Sequence, residues 1–399
     1  MPQIKSFKGL NNVSDPLRLG LGWLSQADNL DVTDTGSLVK RRGFSKVGTG
    51  SYTGLFTSYD FSRMYYVQGG ALKNGSGVVL ATGITSAPMN WTEVNEQIYF
   101  NNGINSGVID TDDSIMPWAW PAPSAPTVRM EAPTPKPEYV STQYDRHVSG
   151  YYQVRCTYVL PDGRETGSSD AGEATGSGIL YISNIPQLPG YKTNVYVAPS
   201  DSAVYQLLAT TTATAITFND APSTLGRELM NMFLDPLPQG CDIVQYWKGV
   251  MYAAQYLPTT DQTVIWFSEP LGYHLFNLNS NFFMVPGHVY MLATNDATAL
   301  LIGTDSRVFA YDGQKIEQIA PYGVLPGVSW VEDEDEEPTK TYFWTTRGLC
   351  SALPFTNLTE RQVSMPPGVS AGGTIVRSGG KKRYVVALRQ GGAAFNPYS

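Results

Sequence analysis

The sequence is poor in cysteine and histidine, and it has no long apolar run. Its three cysteines, Cys156, Cys241 and Cys350, are far apart and form no Cys-x-x-Cys pair, so neither a disulfide framework nor a zinc ribbon is expected. No stretch approaches the ~18 apolar residues of a membrane-spanning helix, and the first twelve residues lack the apolar core of a secretory signal. We therefore expect no membrane span and a chain that folds in a reducing compartment, with Cys156 as a small core residue.

Charge is also scarce, and its balance is acidic. Asp and Glu number 35 against 27 Lys and Arg, which gives a net charge of −8, and only 16% of residues are charged. Proteins that bind duplex DNA tightly concentrate Lys and Arg, so this composition argues against such a binder. Aromatic residues make up 12%, with 39 glycines and 27 prolines. Many aromatics and many turn-forming residues favour short strands over helices.

A recurring pattern predicts a series of β-hairpins. Short aromatic or β-branched runs are each followed by a polar or glycine turn and a second run. The anchor residues of these runs are Tyr65, Tyr99, Tyr252, Leu301, Phe343 and Tyr384. Apart from one long gap between Tyr99 and Tyr252, their spacing is close to the ~40–50-residue period of a propeller blade. The predicted fold class is all-β, an irregular β-propeller with six or seven blades; an irregular β-sandwich is the alternative.

The long gap between the anchors has a different pattern. Seven prolines lie between positions 117 and 137, which predicts a stiff extended linker over 117–137. Five strand-like runs follow, and we expect an inserted immunoglobulin- or fibronectin-III-like β-sandwich at 138–220. The remaining segments are an N-terminal docking and ring-closing segment (1–50) and two propeller parts (51–116 and 241–399).

No motif for catalysis or metal binding is complete. Asp34-Thr35-Gly36-Ser37 has the sequence that aspartic proteases place at a catalytic carboxylate, but that chemistry needs a second carboxylate and the motif occurs once. We interpret it as a turn. His147, His274 and His288 form no His-x-x-x-His pair and are interpreted as packed or surface residues. We expect no cofactor, no metal and no enzyme activity, although the sequence alone leaves a glycosidase carboxylate pair open.

The charged residues are concentrated in a few places. The acidic run consists of Glu332, Asp333, Glu334, Asp335, Glu336 and Glu337. Such a run is typical of a solvated loop, and a calcium site is a weaker alternative. From Arg361 to the end there are six bases and no acid, and Lys40, Arg41 and Arg42 form a second basic cluster. A chain that is acidic overall but basic at both ends suits head-to-tail association or docking on an acidic partner.

The N-terminal stretch resembles a known family. Phe7-Lys8-Gly9-Leu10-Asn11-Asn12 leads to Ala27-Asp28-Asn29-Leu30-Asp31 and then to Gly36-Ser37-Leu38-Val39-Lys40-Arg41-Arg42-Gly43. These segments resemble the opening of tail nozzle (tail tubular B-like) and tail-hub proteins of short-tailed bacteriophages. Gln97-Ile98-Tyr99-Phe100-Asn101-Asn102-Gly103 and Tyr342-Phe343-Trp344-Thr345-Thr346-Arg347-Gly348 also look like blade strands of that family.

The resemblance implies a virion structural protein of the phage tail, assembled in the host cytoplasm, and not an enzyme. Family members form a sixfold ring below the portal and adaptor that continues the DNA channel. The implied partners are further copies in a homohexamer, the portal-adaptor ring, tail fibre or spike proteins, and genomic DNA in transient non-specific contact. We expect Lys40, Arg41 and Arg42 to dock on the adaptor, and the acidic run to lie in the channel or at its mouth. The alternative is a glycan-binding or receptor-binding propeller protein of the tail.

Overall fold

The computed structural model describes residues 6–33, 35–41, 43, 45–46, 48–131, 148–199, 202–220, 222–333, 335–365, 368–378 and 381–390. These ranges contain β-strands and one single-turn 3-10 helix (Pro222–Thr224), and they contain no α-helix. The predicted all-β class is thereby confirmed. Within the same ranges no helix has the length and apolar character needed to cross a membrane.

Two short strand pairs come first. β1 (Gly9–Leu10) runs parallel to β2 (Trp23–Leu24), and β3 (Leu30–Val32) is antiparallel to β4 (Leu38–Lys40). The turn that joins β3 to β4 contains the Asp-Thr-Gly-Ser motif. Gly36 has a φ of +78°, and its N–H donates to the carbonyl of Thr33 at 2.8 Å. The motif is therefore a hairpin turn as expected, with Asp34 itself outside the described residues.

Five antiparallel sheets follow, named A to E in chain order. Sheet A contains β5 (Tyr52–Thr57), β6 (Met64–Gln68), β7 (Ala71–Asn74) and β8 (Val79–Thr82), and sheet B contains β9 (Asn90–Val94), β10 (Gln97–Asn101), β11 (Ser106–Ile109) and β12 (Ile115–Met116). The segment that lies between sheets B and C in the chain, which we call the inserted region, contains six strands. These are β13 (Thr127–Glu131), β14 (Val148–Val159), β15 (Gly172–Ser183), β16 (Lys192–Ala198), β17 (Gln206–Thr211) and β18 (Ile216–Phe218).

The second group of sheets follows the inserted region. Sheet C contains β19 (Cys241–Trp247), β20 (Val250–Leu257), β21 (Gln262–Glu269), β22 (Gly272–Phe276) and β23 (Phe282–Pro286). Sheet D contains β24 (Val289–Asn295), β25 (Ala299–Thr304), β26 (Val308–Tyr311) and β27 (Ile316–Ala320). Sheet E contains β28 (Val331–Asp333), β29 (Lys340–Thr345), β30 (Gly348–Ala352) and β31 (Thr356–Asn357). The C-terminal hairpin consists of β32 (Gly368–Ser378) and β33 (Lys381–Gln390).

Successive sheets pack face to face. In β6, Tyr65 and Val67 are buried, whereas Met64 is exposed and Tyr66 is half-buried, which is the alternation of a strand with one covered face. One apolar layer joins each neighbouring pair, A with B, B with C, C with D, D with E, and E with the C-terminal hairpin. The core is therefore a row of thin layers between sheets and not one central cluster.

The inserted region has its own core. The first part of β15 pairs with β14 and its last part pairs with β13 and β18, while β16 and β17 extend from β14. Buried apolar side chains between these strands include Cys156, as predicted, and Leu180. The structure places a strand at Thr127–Glu131, inside the segment predicted as linker. Val128 and Met130 of that strand pack against the core of the inserted region and hold it in extended pairing.

Candidate functional site

The first strands of sheets B, C, D and E are neighbours: β9 lies beside β19, β19 beside β24, and β24 beside β28. Side chains of one sheet bond the backbone of the next. The N–H of Val244 donates to Asn90 Oδ1 at 3.0 Å, and the hydroxyl of Thr341 donates to the carbonyl of Thr294 at 2.6 Å. One cavity lies at each end of these strands, and we call the two cavities together the axial cleft.

One end of the axial cleft is acidic. A cavity of about 530 Å³ is lined there by Glu93, Asp296, Glu332, Lys248 and other residues of the strand ends. Glu93 accepts the N–H of Tyr59 at 2.8 Å, and Glu332 accepts the Thr294 hydroxyl at 2.6 Å together with the N–H of Asp296. These two carboxylates are therefore fixed by internal donors.

The other end of the axial cleft is largely apolar. A cavity of about 240 Å³ is lined by Met89, Leu292 and Trp330, with Asp242 and His288 at its edge. His288 Nε2 lies 3.8 Å from Asp242 Oδ2, and the His288 ring stacks on Tyr256 with ring centres 4.1 Å apart. Burial raises the pKa of Asp242 above its usual value, and the nearby imidazole opposes that rise.

The size of the axial cleft limits what it can hold. Cavities of 240 and 530 Å³ fall near the range of small-molecule pockets, which is roughly 300–1,000 Å³, and neither admits a nucleic-acid duplex. Within the described ranges, no three of the His, Cys, Asp and Glu side chains are grouped to hold a metal ion. The three cysteines are buried and unpaired with one another, and burial raises the pKa of each thiol, Cys156 to about 12. None of them has the lowered pKa of a nucleophilic thiolate.

The acidic run does not form one surface. Glu332 faces the axial cleft, whereas Asp333 is buried against Lys382 of the C-terminal hairpin. Asp335 pairs with Arg377 of the same hairpin at 2.5 Å. Glu336 pairs with Lys340 at 2.6 Å and accepts a hydrogen bond from the Tyr342 hydroxyl. Glu337 is exposed, and Glu334 lies outside the described residues.

The basic residues near the N-terminus lie on the small hairpin β3–β4. Lys40 is exposed at the end of β4, and the N–H of Arg41 donates to the carbonyl of Asn29 at 2.8 Å. Arg42 lies outside the described residues. Asp31 of the same hairpin pairs with Arg383 at 2.9 Å, so β3–β4 sits against the C-terminal hairpin. The structure thus brings the two basic ends of the chain together.

The histidines and tryptophans are mainly packing residues. His274 is buried with Nε2 3.0 Å from the Glu165 carbonyl, and burial lowers its pKa to about 4, so it is neutral at pH 7. His147 lies outside the described residues. Among the tryptophans, Trp118, Trp247 and Trp344 are buried, and Trp266 and Trp330 are half-buried. Trp120 is 36% exposed and its ring centre lies 5.9 Å from that of Tyr191.

A buried polar cluster around the Glu165 carboxylate lies within the inserted region, next to the contact of the Glu165 carbonyl with His274 of sheet C. The sequence analysis did not identify it. Glu165 accepts hydrogen bonds from Thr157, from Asn194 at 2.8 Å and from Tyr196 at 2.6 Å, and it pairs with Arg227 at 2.6 Å. Burial alone would raise the pKa of Glu165, but these four donors together lower it below its usual value. Its members are far apart in sequence, so no local pattern marks them.

Comparisons with known proteins complete the description of this site. No protein-family model matches the sequence, and no curated protein matches it. Among solved structures, a candidate 6-phosphogluconolactonase from Bacteroides uniformis has 9% identity and a TM-score of 0.35, over 88% of this chain and 92% of that one. The extracellular domain of a candidate one-component system of B. thetaiotaomicron has 11% identity and a TM-score of 0.29, over 82% and 36%. Dipeptidyl peptidase 4 of Porphyromonas gingivalis has 9% identity and a TM-score of 0.28, over 91% and 49%. At such TM-scores these proteins inform neither the activity nor the partners of this chain.

Proposed function

We propose that the chain is a structural subunit of a short-tailed phage tail, forming a hexameric nozzle or hub ring that continues the DNA channel. The observation that carries the proposal is the row of antiparallel sheets in which the first strands of sheets B to E are neighbours, in a chain whose N-terminal motifs resemble that family. A propeller of this kind presents many loops on a rigid body, which suits a scaffold. The carboxylates of Glu93 and Glu332 are engaged by internal donors, which favours a structural role over a catalytic one.

In this proposal sheets A to E are five propeller blades and the C-terminal hairpin supplies a sixth. The hairpin β3–β4 lies beside that sixth blade through the Asp31–Arg383 ion pair. The strands β13 to β18 form the inserted sandwich, with β15 shared between its two sheets. Arg164 anchors the sandwich by donating to the carbonyls of Pro117 and Trp118 at 2.9 and 2.5 Å.

The passage for DNA would lie between copies of the chain, because the axial cleft of one copy is too small for a duplex. A passage that DNA slides through should repel phosphate, so acidic surface is expected along it. Within the acidic run, Asp335, Glu336 and Glu337 are the described members outside the buried core and the axial cleft. We assign the channel or its mouth to these three.

The mass of the assembled particle tests the ring. Native mass spectrometry of the purified full chain should give six copies, and electron microscopy should show a ring with an axial hole wide enough for duplex DNA. A protein that stays monomeric at every concentration, with or without the portal-adaptor ring, would overturn the proposal.

Ejection kinetics test the channel assignment. A phage that carries Ser at Asp335, Glu336 and Glu337 should release DNA at an altered rate with altered salt dependence. Ser at the exposed acids Glu173 and Glu228 of the inserted region is the matched control. If both phages release DNA as the parent does, these acids do not face the passage.

Docking on the adaptor is assigned to Lys40, Arg41 and Arg42. Charge reversal of Lys40 and Arg41 should block attachment of the ring to the adaptor while six-copy rings still form. If tails assemble normally with both residues reversed, the docking assignment is wrong.

A second candidate function is glycan or receptor binding by the inserted region. It rests on the Trp120–Tyr191 pair, whose rings are tilted by 37° and of which Trp120 is 36% exposed, since an exposed aromatic ring offers an apolar surface on which a sugar can pack. Glycan binding by the full chain should then decrease in the Trp120→Ala variant and stay unchanged in the Trp266→Ala variant. Equal binding by both variants would remove this candidate.

A further inference from the structure

The smaller cavity of the axial cleft, of about 240 Å³, is built by four parts of the chain. Met89, Met291 and Leu292 line it with buried apolar side chains, and Ile243 and Trp330 line it with half-buried ones. These residues lie in or directly beside the first strands of sheets B, C, D and E. A ligand that fills this cavity therefore contacts four sheets at once.

Two neighbouring strands carry the same irregularity at this cavity. Between Cys241 and Ile243, β19 advances by two residues while its partner β20 advances by one, so Asp242 is an extra residue in the strand. The pairing of β24 with β25 shifts in the same way at Tyr290. Such a β-bulge redirects a side chain and is frequent beside functional sites. The two bulged residues, Asp242 and Tyr290, both line the cavity.

The Asp242 carboxylate can accept a further hydrogen bond. His288 Nε2 lies 3.8 Å from Asp242 Oδ2, which is longer than a hydrogen bond, and the Asp242 side chain is 45% exposed. The imidazole is held beside it by Tyr256 and Tyr290, whose ring centres lie 4.1 and 4.6 Å from its own. At the other end of the axial cleft, by contrast, Glu332 accepts an internal donor at 2.6 Å. A carboxylate has about four acceptor positions, so Asp242 has capacity left for a ligand.

The lining of the cavity favours one sign of charge in a ligand. Among the described residues that line it, Asp242 is the one acid and none is Lys or Arg. Trp330 adds an aromatic ring, and such rings attract cations at their faces. The two asparagines of the lining bond the protein itself, Asn90 the N–H of Val244 and Asn102 its own turn. The expected ligand is therefore a small cation with an apolar body.

We propose that this cavity binds a small organic amine with an aromatic or alkyl body. The ammonium group bonds the Asp242 carboxylate at the edge of the cavity, and the apolar body lies against Met89, Leu292 and Trp330. Because the site is formed by four sheets of the folded chain, binding stabilises the folded state. Every contact lies within one copy, so the site goes beyond the proposed ring and does not depend on it.

Calorimetry with aromatic probes that differ in charge tests the ligand class. Phenethylamine is the cation, phenethyl alcohol its neutral counterpart, and phenylacetate an anion. The amine should bind the purified full chain one to one, raise its Tm, and bind about tenfold or more tighter than the alcohol, because hydrogen bonds to charged groups are the stronger ones. Phenylacetate should not bind. Equal affinity for amine and alcohol, or no binding of the amine at millimolar concentration, would refute the proposal.

Two acid substitutions locate the amine. Asp242→Asn keeps the size of the side chain and removes its charge, so the affinity for phenethylamine should fall about tenfold or more. Asp296→Asn is the matched control, because Asp296 is an exposed acid of the larger cavity at the other end. It should bind the amine as the parent does. If Asp242→Asn binds with parental affinity, the amine does not occupy this cavity and the assignment is wrong.

Filling the cavity gives a readout that is independent of charge. Val328 lines the cavity and is 50% exposed, so Val328→Trp adds bulk there without disturbing the core. This variant should lose phenethylamine binding while the Tm of the ligand-free protein stays unchanged. Val78→Trp is the control, because Val78 is 54% exposed between β7 and β8 of sheet A. Parental binding by Val328→Trp would count against the site.

Discussion

The ammonium of Lys382 lies against the carboxylate of Asp333, whose side chain is fully buried. Asp333 ends β28 in sheet E, and Lys382 is the second residue of β33 in the C-terminal hairpin. A buried carboxylate is stable only beside a counter-charge, and Lys382 of the hairpin provides that charge for Asp333. The ion pair links the acidic run to the base-rich C-terminal segment inside one chain.

Removing the ammonium should release the hairpin. Lys382→Met leaves the buried Asp333 carboxylate without its counter-ion, and the hairpin should lose roughly 2–4 kcal/mol of local stability. This loss is smaller than that for a fully buried ion pair because Lys382 is partly exposed. Amide exchange of Ala371 and Val386 in the hairpin measures it. Arg377→Met is the control: its pair with Asp335 is well exposed at both ends, and the expected cost is below about 1 kcal/mol. Equal protection in the two variants would contradict the prediction.

Acid should weaken the joint between the inserted region and sheet C through His274. Burial lowers the pKa of His274 from 6.5 to about 4 in the folded protein. The unfolded chain therefore binds this proton first, and stability falls as the pH drops below 6.5 until the folded state is protonated near pH 4. A separation of this size corresponds to at most about 3 kcal/mol. Thermal unfolding at pH 7 and pH 5 should show the loss.

The variant His274→Gln separates titration from packing. It keeps a donor for the Glu165 carbonyl but does not titrate, so the difference in Tm between pH 7 and pH 5 should shrink whatever its absolute stability. A His274→Gln protein with the full parental difference would show that other groups cause the acid sensitivity.

The stability of the inserted region should depend on the Glu165 carboxylate, whose partners all lie within that region. Glu165→Ala leaves the hydroxyls of Thr157 and Tyr196 and the amide of Asn194 without an acceptor in a buried place, with an expected loss of about 3 kcal/mol or more. Urea unfolding of the full chain measures it. Arg227→Ala removes a partner that is 58% exposed and should cost under about 1 kcal/mol. Since the pKa of Glu165 is lowered, its stabilising effect is present at neutral pH and declines as the pH falls below about 4.5.

Local patterns predicted the strands but not their long-range partners. The runs around Tyr99 and Phe343 became strands where the sequence placed them, because alternation of apolar residues is a local signal. The strand Thr127–Glu131 was missed although Val128 and Met130 alternate, because the flanking prolines indicated a linker. The acidic run looked like a solvated loop because Lys382 and Arg377, which neutralise two of its members, lie more than 40 residues away. Buried polar contacts between residues that are far apart in sequence form only when the chain folds, so composition cannot reveal them.

The contact between the inserted region and sheet C should depend on Gly167. A Cβ added at Gly167 would lie 1.8 Å from the carbonyl oxygen of Leu234, which belongs to the backbone and cannot rotate away. The next residue, Asp235, exchanges two backbone hydrogen bonds with Phe276 of sheet C, at 2.9 and 2.8 Å. Gly167→Ala must therefore push this segment off sheet C.

The expected result for Gly167→Ala is a loss of about 1–3 kcal/mol or more, together with faster amide exchange at Asp235 and Phe276. Gly20→Ala is the control, because nothing lies within 4 Å of a Cβ at Gly20, and its effect should be within about 0.5 kcal/mol. The decisive comparison is exchange at Phe276 against exchange at Leu301 in sheet D, which should not change in either variant. Faster exchange at both positions would mean general destabilisation and not a displaced joint.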